Sequence, residues 1–311
     1  MSDTFCVLPW FGLDHGILKR KKICCLLQRY ADMDQIREDL LNGIQSPQCY
    51  KCWENEDNGL TSRRGMHNKL LTQYGDKSLA EYKQLALDGH IEPLMYQLTI
   101  SNLCNATCVT CGPGNSTKWS RLVHDGLRFE LETIPIIYET AKYVLLVGGE
   151  PLLEPVSFEI IDNLIAAGNT TCRLSMSTNG SIRLTDKQLE SFRKLINTDI
   201  CVSIDGIGKV FEYMRYPLKW DDVSENLFRL RDAGLKPSIS YTVSNINKPY
   251  HEETIAWFKE HGFPYFINPV HAPAWFNGPI TERTIEELDK QDKLKGIDRN
   301  DYLPYLIIKS E

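Results

Sequence analysis

Ser101-Asn102-Leu103-Cys104-Asn105-Ala106-Thr107-Cys108-Val109-Thr110-Cys111 carries the strongest chemical signal in this chain. It follows directly on an apolar, strand-like run at residues 94–100, and it spaces three cysteines as C-x3-C-x2-C. Three thiolates on a tight loop can hold three irons of a cubane cluster and leave the fourth iron without a protein ligand. An open iron is what a small chelating ligand needs, just as an open position separates a catalytic zinc from a structural one. On the triplet alone, a zinc loop with a distant fourth ligand, or three unrelated buried thiols, remain alternatives.

Outward from the triplet, strands and helices alternate. Strand-like runs fall at residues 94–100, 143–147, 172–176, 200–204, 238–243 and 265–270. Helical patterns fall between them at 158–167, 186–196, 221–233 and 252–261, with a further one at 281–292. Strands separated by helices of this length predict parallel pairing through right-handed crossovers. Six such strands are too few for an eight-fold barrel, so the predicted fold is α/β, a partial (βα)6 barrel. Asn179-Gly180 and Asp205-Gly206 are turn signals directly after strands. Before residue 93 the chain is polar, cysteine-bearing and irregular, with helical pattern only at 33–41 and 78–87. The expected division is therefore a cysteine-rich extension, 1–93, and a barrel with its C-terminal helix and tail, 94–311.

The 311 residues carry 35 Lys+Arg and 41 Asp+Glu, for a net charge of −6, with 42% hydrophobic and 24% charged residues. Those fractions belong to a globular protein and not to a disordered one. The acidic balance argues against nucleic-acid binding by bulk charge. No apolar run reaches 18 residues, and Met1-Ser2-Asp3-Thr4-Phe5-Cys6 lacks the pattern of a secretory signal, so a cytoplasmic location is the expectation. Ten cysteines are the outlier. In a reducing compartment they point to metal binding or catalysis before disulfides. Cys172 and Cys201 stand alone in strand-like stretches and read as small buried hydrophobes.

C-x3-C-x2-C after a first strand resembles the signature of the radical S-adenosylmethionine (radical SAM) superfamily. Val147-Gly148-Gly149-Glu150-Pro151 ends the second strand and resembles that superfamily's GGEP motif. Ser177-Thr178-Asn179-Gly180 ends the third and resembles its ribose-contacting segment. Val202-Ser203-Ile204-Asp205-Gly206 ends the fourth, followed by Tyr213-Met214-Arg215-Tyr216-Pro217. The resemblance spans about residues 94–270. It implies that Cys104, Cys108 and Cys111 hold a [4Fe–4S] cluster and that Gly148 and Gly149 meet the methionine ammonium of SAM, with Glu150 helping to fix it. It further implies that Ser177 and Asn179 bond the ribose. Arg215 is a candidate for the methionine carboxylate, which a guanidinium fork matches. Plainer readings stand beside these: a surface salt bridge for Arg215, a turn for Asn179-Gly180 and a helix cap for Asp205.

The N-terminal cysteines lie in Cys6-Val7-Leu8-Pro9-Trp10, Ile23-Cys24-Cys25 and Cys49-Tyr50-Lys51-Cys52-Trp53-Glu54-Asn55-Glu56. Four sulfurs suit either zinc or a cubane. The arrangement resembles the twitch (half-SPASM) extension of radical SAM enzymes, here placed before the barrel. The expected ligands of an auxiliary [4Fe–4S] cluster are Cys6, Cys24, Cys49 and Cys52, with Cys24 against Cys25 open. Adjacent strand residues point to opposite faces, which argues against both. The basic run Lys19-Arg20-Lys21-Lys22 reads as a solvated hairpin, and Arg63 and Arg64 as either substrate ligands or stitches between extension and barrel. Trp10, Trp53, Trp119 and Trp275 read as packing.

Taken together, the resemblance implies an enzyme that uses SAM and a reductant such as flavodoxin or ferredoxin. Reductive cleavage of SAM to a 5′-deoxyadenosyl radical is followed by hydrogen abstraction from substrate, and the auxiliary cluster assists oxidation. A peptide or protein substrate is the expectation, bordered by the segment 268–276 at the end of the sixth strand. The alternatives are a radical SAM dehydrogenase or epimerase of a small molecule or nucleotide, and a non-catalytic iron–sulfur or zinc-binding interaction protein.

Overall fold

A computed structural model describes residues 4–16, 20–24, 26–27, 31–123 and 128–269. The central sheet has eight strands: β1 (Gly12–Gly16), β2 (Arg20–Lys22), β3 (Met95–Thr99), β4 (Tyr143–Val147), β5 (Arg173–Thr178), β6 (Asn197–Ser203), β7 (Ser238–Val243) and β8 (Tyr265–Pro269). Their order is β2-β1-β3-β4-β5-β6-β7-β8. Every pair from β1 to β8 is parallel except β1 with β2, which are antiparallel, as expected of a hairpin at the basic run. The parallel set therefore has seven strands, not the expected six.

The extra strand is β1. It lies before residue 93 yet pairs with β3 in register, Leu13 opposite Tyr96 and Asp14 opposite Gln97. Five residues bounded by glycines, Gly-Leu-Asp-His-Gly, show too little alternation to announce a strand. The extension also holds helices Met33–Leu41, Tyr50–Asp57, Arg63–Tyr74 and Leu79–Leu87, of which the first and last carry the predicted periodicity. Ser78 and Glu81 form a capping box on Leu79–Leu87. Arg63–Tyr74 buries only His67, Asn68 and Leu71 and has Gly65 in its first turn, so its sequence pattern is faint. The helical pattern at 281–292 lies outside the described residues.

Two large apolar cores and a small cluster of Val109, Val210 and Met214 form among the described residues. The larger sets alternate strand residues, among them Leu98, Leu146, Leu174 and Val202, against helices Pro155–Ala166, Asp186–Lys194, Trp220–Asp232 and His251–Glu260. Full burial of side chains such as Ile160, Leu164 and Phe192 contributes roughly 1.5–3 kcal/mol each. Cys172 and Cys201 are buried, as predicted. By strand alternation the other face of the sheet carries Gln97, Ser175, Ser177, Ser203, Ser240 and Thr242. The second core packs Phe5, Leu8, Trp10, Ile36, Leu40 and Trp53 onto Met95 and Tyr143, the first residues of β3 and β4. The extension is thus built onto the N-terminal ends of the barrel strands. Among the described residues no helix is long and apolar enough to cross a membrane.

Candidate active site

Cys104, Cys108 and Cys111 lie on the loop that leaves the C-terminal end of β3, the end where parallel barrels place their chemistry. The loop is fastened at many points. Thr117 Oγ1 accepts from the Cys104 amide at 3.2 Å, Ser116 donates to the Ala106 carbonyl at 2.7 Å and the Trp119 indole donates to the Cys108 carbonyl at 2.9 Å. Trp119 is buried, which agrees with the packing expected of it. The Thr107 and Val109 amides donate to the Tyr216 and Met214 carbonyls at 2.7 and 2.8 Å, so Cys108 is zipped beside Arg215.

Gly148 and Gly149 take up the loop from the other side. The Gly149 and Glu150 amides donate to the Ser101 and Leu103 carbonyls at 2.8 and 2.7 Å. A Cβ at Gly148 would fall on the Ser101 carbonyl oxygen, and one at Gly149 would lie 2.7 Å from the Asn102 carbonyl carbon. Gly148 also has a φ of 146°, a conformation open chiefly to glycine. Both glycines are therefore required by the close approach of the cysteine loop itself.

Glu150 is 1% exposed and accepts from the Leu152 amide (3.1 Å), the Thr178 hydroxyl (2.7 Å) and the Asn179 amide (2.6 Å). It clamps the end of β4 to the end of β5. Burial raises its pKa against these bonds, which favour the charged form. The Asn179 side chain donates to Asn105 Oδ1 at 2.8 Å and accepts from the Ser181 amide, while Asn105 donates to the Ser181 hydroxyl at 2.9 Å. Sequence reasoning did not single out Asn105, although its place inside the triplet is a signal. Ser177 is half-buried on β5, where it pairs with Cys201 of β6.

Arg215 is buried, and so is its counter-ion Asp205, whose carboxylate lies 2.8 Å from one guanidinium nitrogen. This replaces the surface salt bridge and the helix cap that were the plainer readings. Asp205 also accepts from the Thr242 amide at 3.0 Å. A second guanidinium nitrogen lies 3.9 Å from the Cys108 sulfur, and Nε is buried without a partner. Burial works against the arginine's charge, but Asp205, Cys108 and Cys111 outweigh it and its pKa is raised. Burial, and then the neighbouring Cys108, push the Cys111 thiol up to about 12, and Cys104 is raised mainly by burial.

In the extension, burial pushes Cys6 up to about 12 and Cys49 to about 11, and both feel Cys52. Cys6, Cys49 and Cys52 thus lie near enough to influence one another, and Cys6, Cys49 and Cys24 share one core. Cys25 lies outside the described residues. Asn68 brackets Cys6 by accepting from the Val7 amide (2.9 Å) and donating to the Phe5 carbonyl (2.8 Å), a role with no sequence signal. Arg64 pairs with Glu56 at 2.6 Å and lies over the Trp53 ring, while Arg63 donates to Gln97 on β3 at 2.6 Å. The arginines thus stitch the extension internally and to the barrel. Trp275 and most of segment 268–276 lie outside the described residues.

Residues 98–258 match the model of the Radical SAM superfamily. The chain belongs to the radical SAM superfamily. No curated protein matches it. Among solved structures, it is similar to anSMEcpe with bound AdoMet, at 15% identity over 64% of this chain and 61% of that one, with a TM-score of 0.47. It is also similar to Streptococcus suis SuiB bound to precursor peptide SuiA, at 12% identity over 94% and 69%, with a TM-score of 0.45. TYW1 with a lysine-pyruvate adduct bound matches at 15% identity over 63% and 70%, with a TM-score of 0.36. The radical SAM chain spans between about half and three fifths of the length of the anSMEcpe structures, 52% in one and 61% in another.

The superfamily implies SAM and a [4Fe–4S] cluster, and the residues fit both. Three thiols on one loop, near enough to perturb one another, form a soft donor set of the kind that holds iron–sulfur clusters. Among the described residues no three Cys, His, Asp or Glu side chains converge on a single-ion position. The buried, unpaired Nε–H of Arg215 beside Cys108 is a donor that an anionic ligand group would satisfy.

Proposed function

We propose that this chain is a radical SAM enzyme that abstracts hydrogen from a peptide or protein substrate and oxidises it with the help of an auxiliary cluster. Its radical chemistry rests on one observation: the cysteine loop is docked by backbone hydrogen bonds onto Gly149 and Glu150, which brings the SAM motifs together with three thiols. When bound, SAM and the reduced cluster supply a 5′-deoxyadenosyl radical, and the hard chemistry is theirs. Cys104, Cys108 and Cys111 would hold the cluster. The backbone at Gly148 and Gly149, with Glu150 behind it, would orient the methionine ammonium. Arg215 would offer Nε–H to the methionine carboxylate, and Ser177 and Asn179 would face the ribose. Buried Trp119 backs the loop and fixes the Cys108 carbonyl.

Cys6, Cys24, Cys49 and Cys52 would hold the auxiliary [4Fe–4S] cluster, in a twitch-like extension formed by residues 1–93 ahead of the barrel. The gathering of three of these thiols supports that assignment. A cluster with four thiolate ligands has no free iron, which favours electron transfer and net oxidation of substrate. The hydroxyl- and amide-bearing inner face of the sheet suits a substrate rich in hydrogen-bonding groups, as a peptide is. A flavodoxin- or ferredoxin-type donor would supply the electron. We place the enzyme in a reducing cytoplasm, where free thiols of the kind its cysteines present persist.

The test is replacement of Cys104, Cys108 and Cys111 together by Ala. The variant should lose about four irons, retain the auxiliary set and form no 5′-deoxyadenosine from SAM and dithionite. Continued SAM cleavage would withdraw the assignment.

A further inference from the structure

We propose that Arg215 is a fixed cationic donor to the Cys108 thiolate and thereby sets the reduction potential of the cluster held by the triplet, with Asp205 as the positioning residue that moderates it. This rests on the assignment of the triplet to that cluster.

The geometry is built in from both segments of the contact. Thr107 and Val109, which flank Cys108, donate to the carbonyls of Tyr216 and Met214, which flank Arg215. This short ladder fixes the two side chains opposite each other, with a guanidinium nitrogen 3.9 Å from the sulfur. Arg215 is further held by Asp205 at 2.8 Å, and Asp205 by the Thr242 amide on β7 and, through its own carbonyl, by Asn247 Nδ2 at 2.9 Å. Asp205 is fully buried and Arg215 nearly so, so the pair acts where charges are weakly screened.

The sign follows from charge. Reduction adds one electron to the cluster, with no bond made or broken. A cation bonded to a ligating sulfur stabilises the more negative, reduced state and raises the potential, hydrogen bonds to sulfur being an established lever on cluster potentials. The Asp205 carboxylate opposes this from 2.8 Å behind the guanidinium. The two residues should therefore move the potential in opposite directions when neutralised, a pattern that general loosening of the site does not produce.

The experiment is a redox titration with dithionite, without SAM, on the full-length protein purified anaerobically with its iron. It follows the electron-paramagnetic signal that the Cys104, Cys108 and Cys111 triple variant loses. Arg215→Gln should make reduction at least about tenfold harder, a shift of about 59 mV to lower potential for one electron. Arg215→Lys should restore part of that shift. Asp205→Asn, which keeps an oxygen for the Thr242 amide, should shift the potential upward. Unmoved potentials, or shifts in the same direction for Arg215→Gln and Asp205→Asn, would overturn the proposal. If Arg215→Gln fails to hold iron, Arg215→Lys and Asp205→Asn carry the same test, with a fall and a rise expected. A wild-type protein with no such signal would instead defeat the assignment of the triplet, which is a separate outcome.

Discussion

Glu150 joins two strand ends through one buried carboxylate, and it is also the residue we propose behind the SAM ammonium. Its carboxylate takes three hydrogen bonds in a dry setting, two of them from the backbone amides of Leu152 and Asn179. Glu150→Ala should cost about 3 kcal/mol, since buried donors lose a charged acceptor, and urea denaturation measures it. If stability is unchanged while SAM affinity drops, the residue acts on ligand alone. His67 is a second case. Burial, then the nearby Arg63, lowers its pKa from 6.5 to about 4, and its Nδ1 lies 2.8 Å from the Arg63 carbonyl oxygen. A lowered folded-state pKa means that the unfolded chain binds the proton more readily. Stability should therefore fall as pH drops from about 6.5 to about 4, by up to about 3 kcal/mol, and His67→Gln should flatten that slope in denaturation curves recorded across the range.

At the scale of elements, the site is a set of strand ends locked to one loop. Gly149 is the tightest point, because a side chain there meets the backbone of Asn102 and Leu103, which cannot swing aside as a flexible side chain could. Gly149→Ala should displace the loop and lower the iron held by the triplet severalfold, with any iron at the proposed auxiliary site retained. Iron analysis with 5′-deoxyadenosine formation tests this, and full iron in the variant would mean that the loop yields more easily than its hydrogen bonds suggest.

Over the whole molecule, the extension and the barrel share one sheet through β1 and one core through Met95 and Tyr143. That continuity places Cys6 and Cys49, proposed ligands of an auxiliary cluster, against the N-terminal end of the parallel strands, with the triplet past the other end of β3. Replacing Cys49 and Cys52 by Ala should reduce the iron content from about eight to about four per chain. SAM cleavage without substrate should persist, and turnover to oxidised product should fail. Zinc in place of the second set of irons would make the extension a structural knuckle and redirect the chemistry towards a redox-neutral reaction.

The sequence by itself determined the parallel α/β order, the strands β4 and β7 to the residue, the helix Met33–Leu41, and the motifs at the strand ends. Hydrophobic periodicity and glycine placement are local properties, and they survive folding unchanged. Only the tertiary structure decided the rest. It turned Gly148-Gly149 into a seat for the cysteine loop, Glu150 into a clamp and Arg215 into a buried partner of Asp205 and Cys108. It also made β1 a barrel strand and set Asn68 and Asn105 as braces for Cys6 and Asn179. Apart from the Arg215–Asp205 pair, these are contacts between residues far apart in the chain, and a single polar residue carries no periodicity from which such a partner could be read.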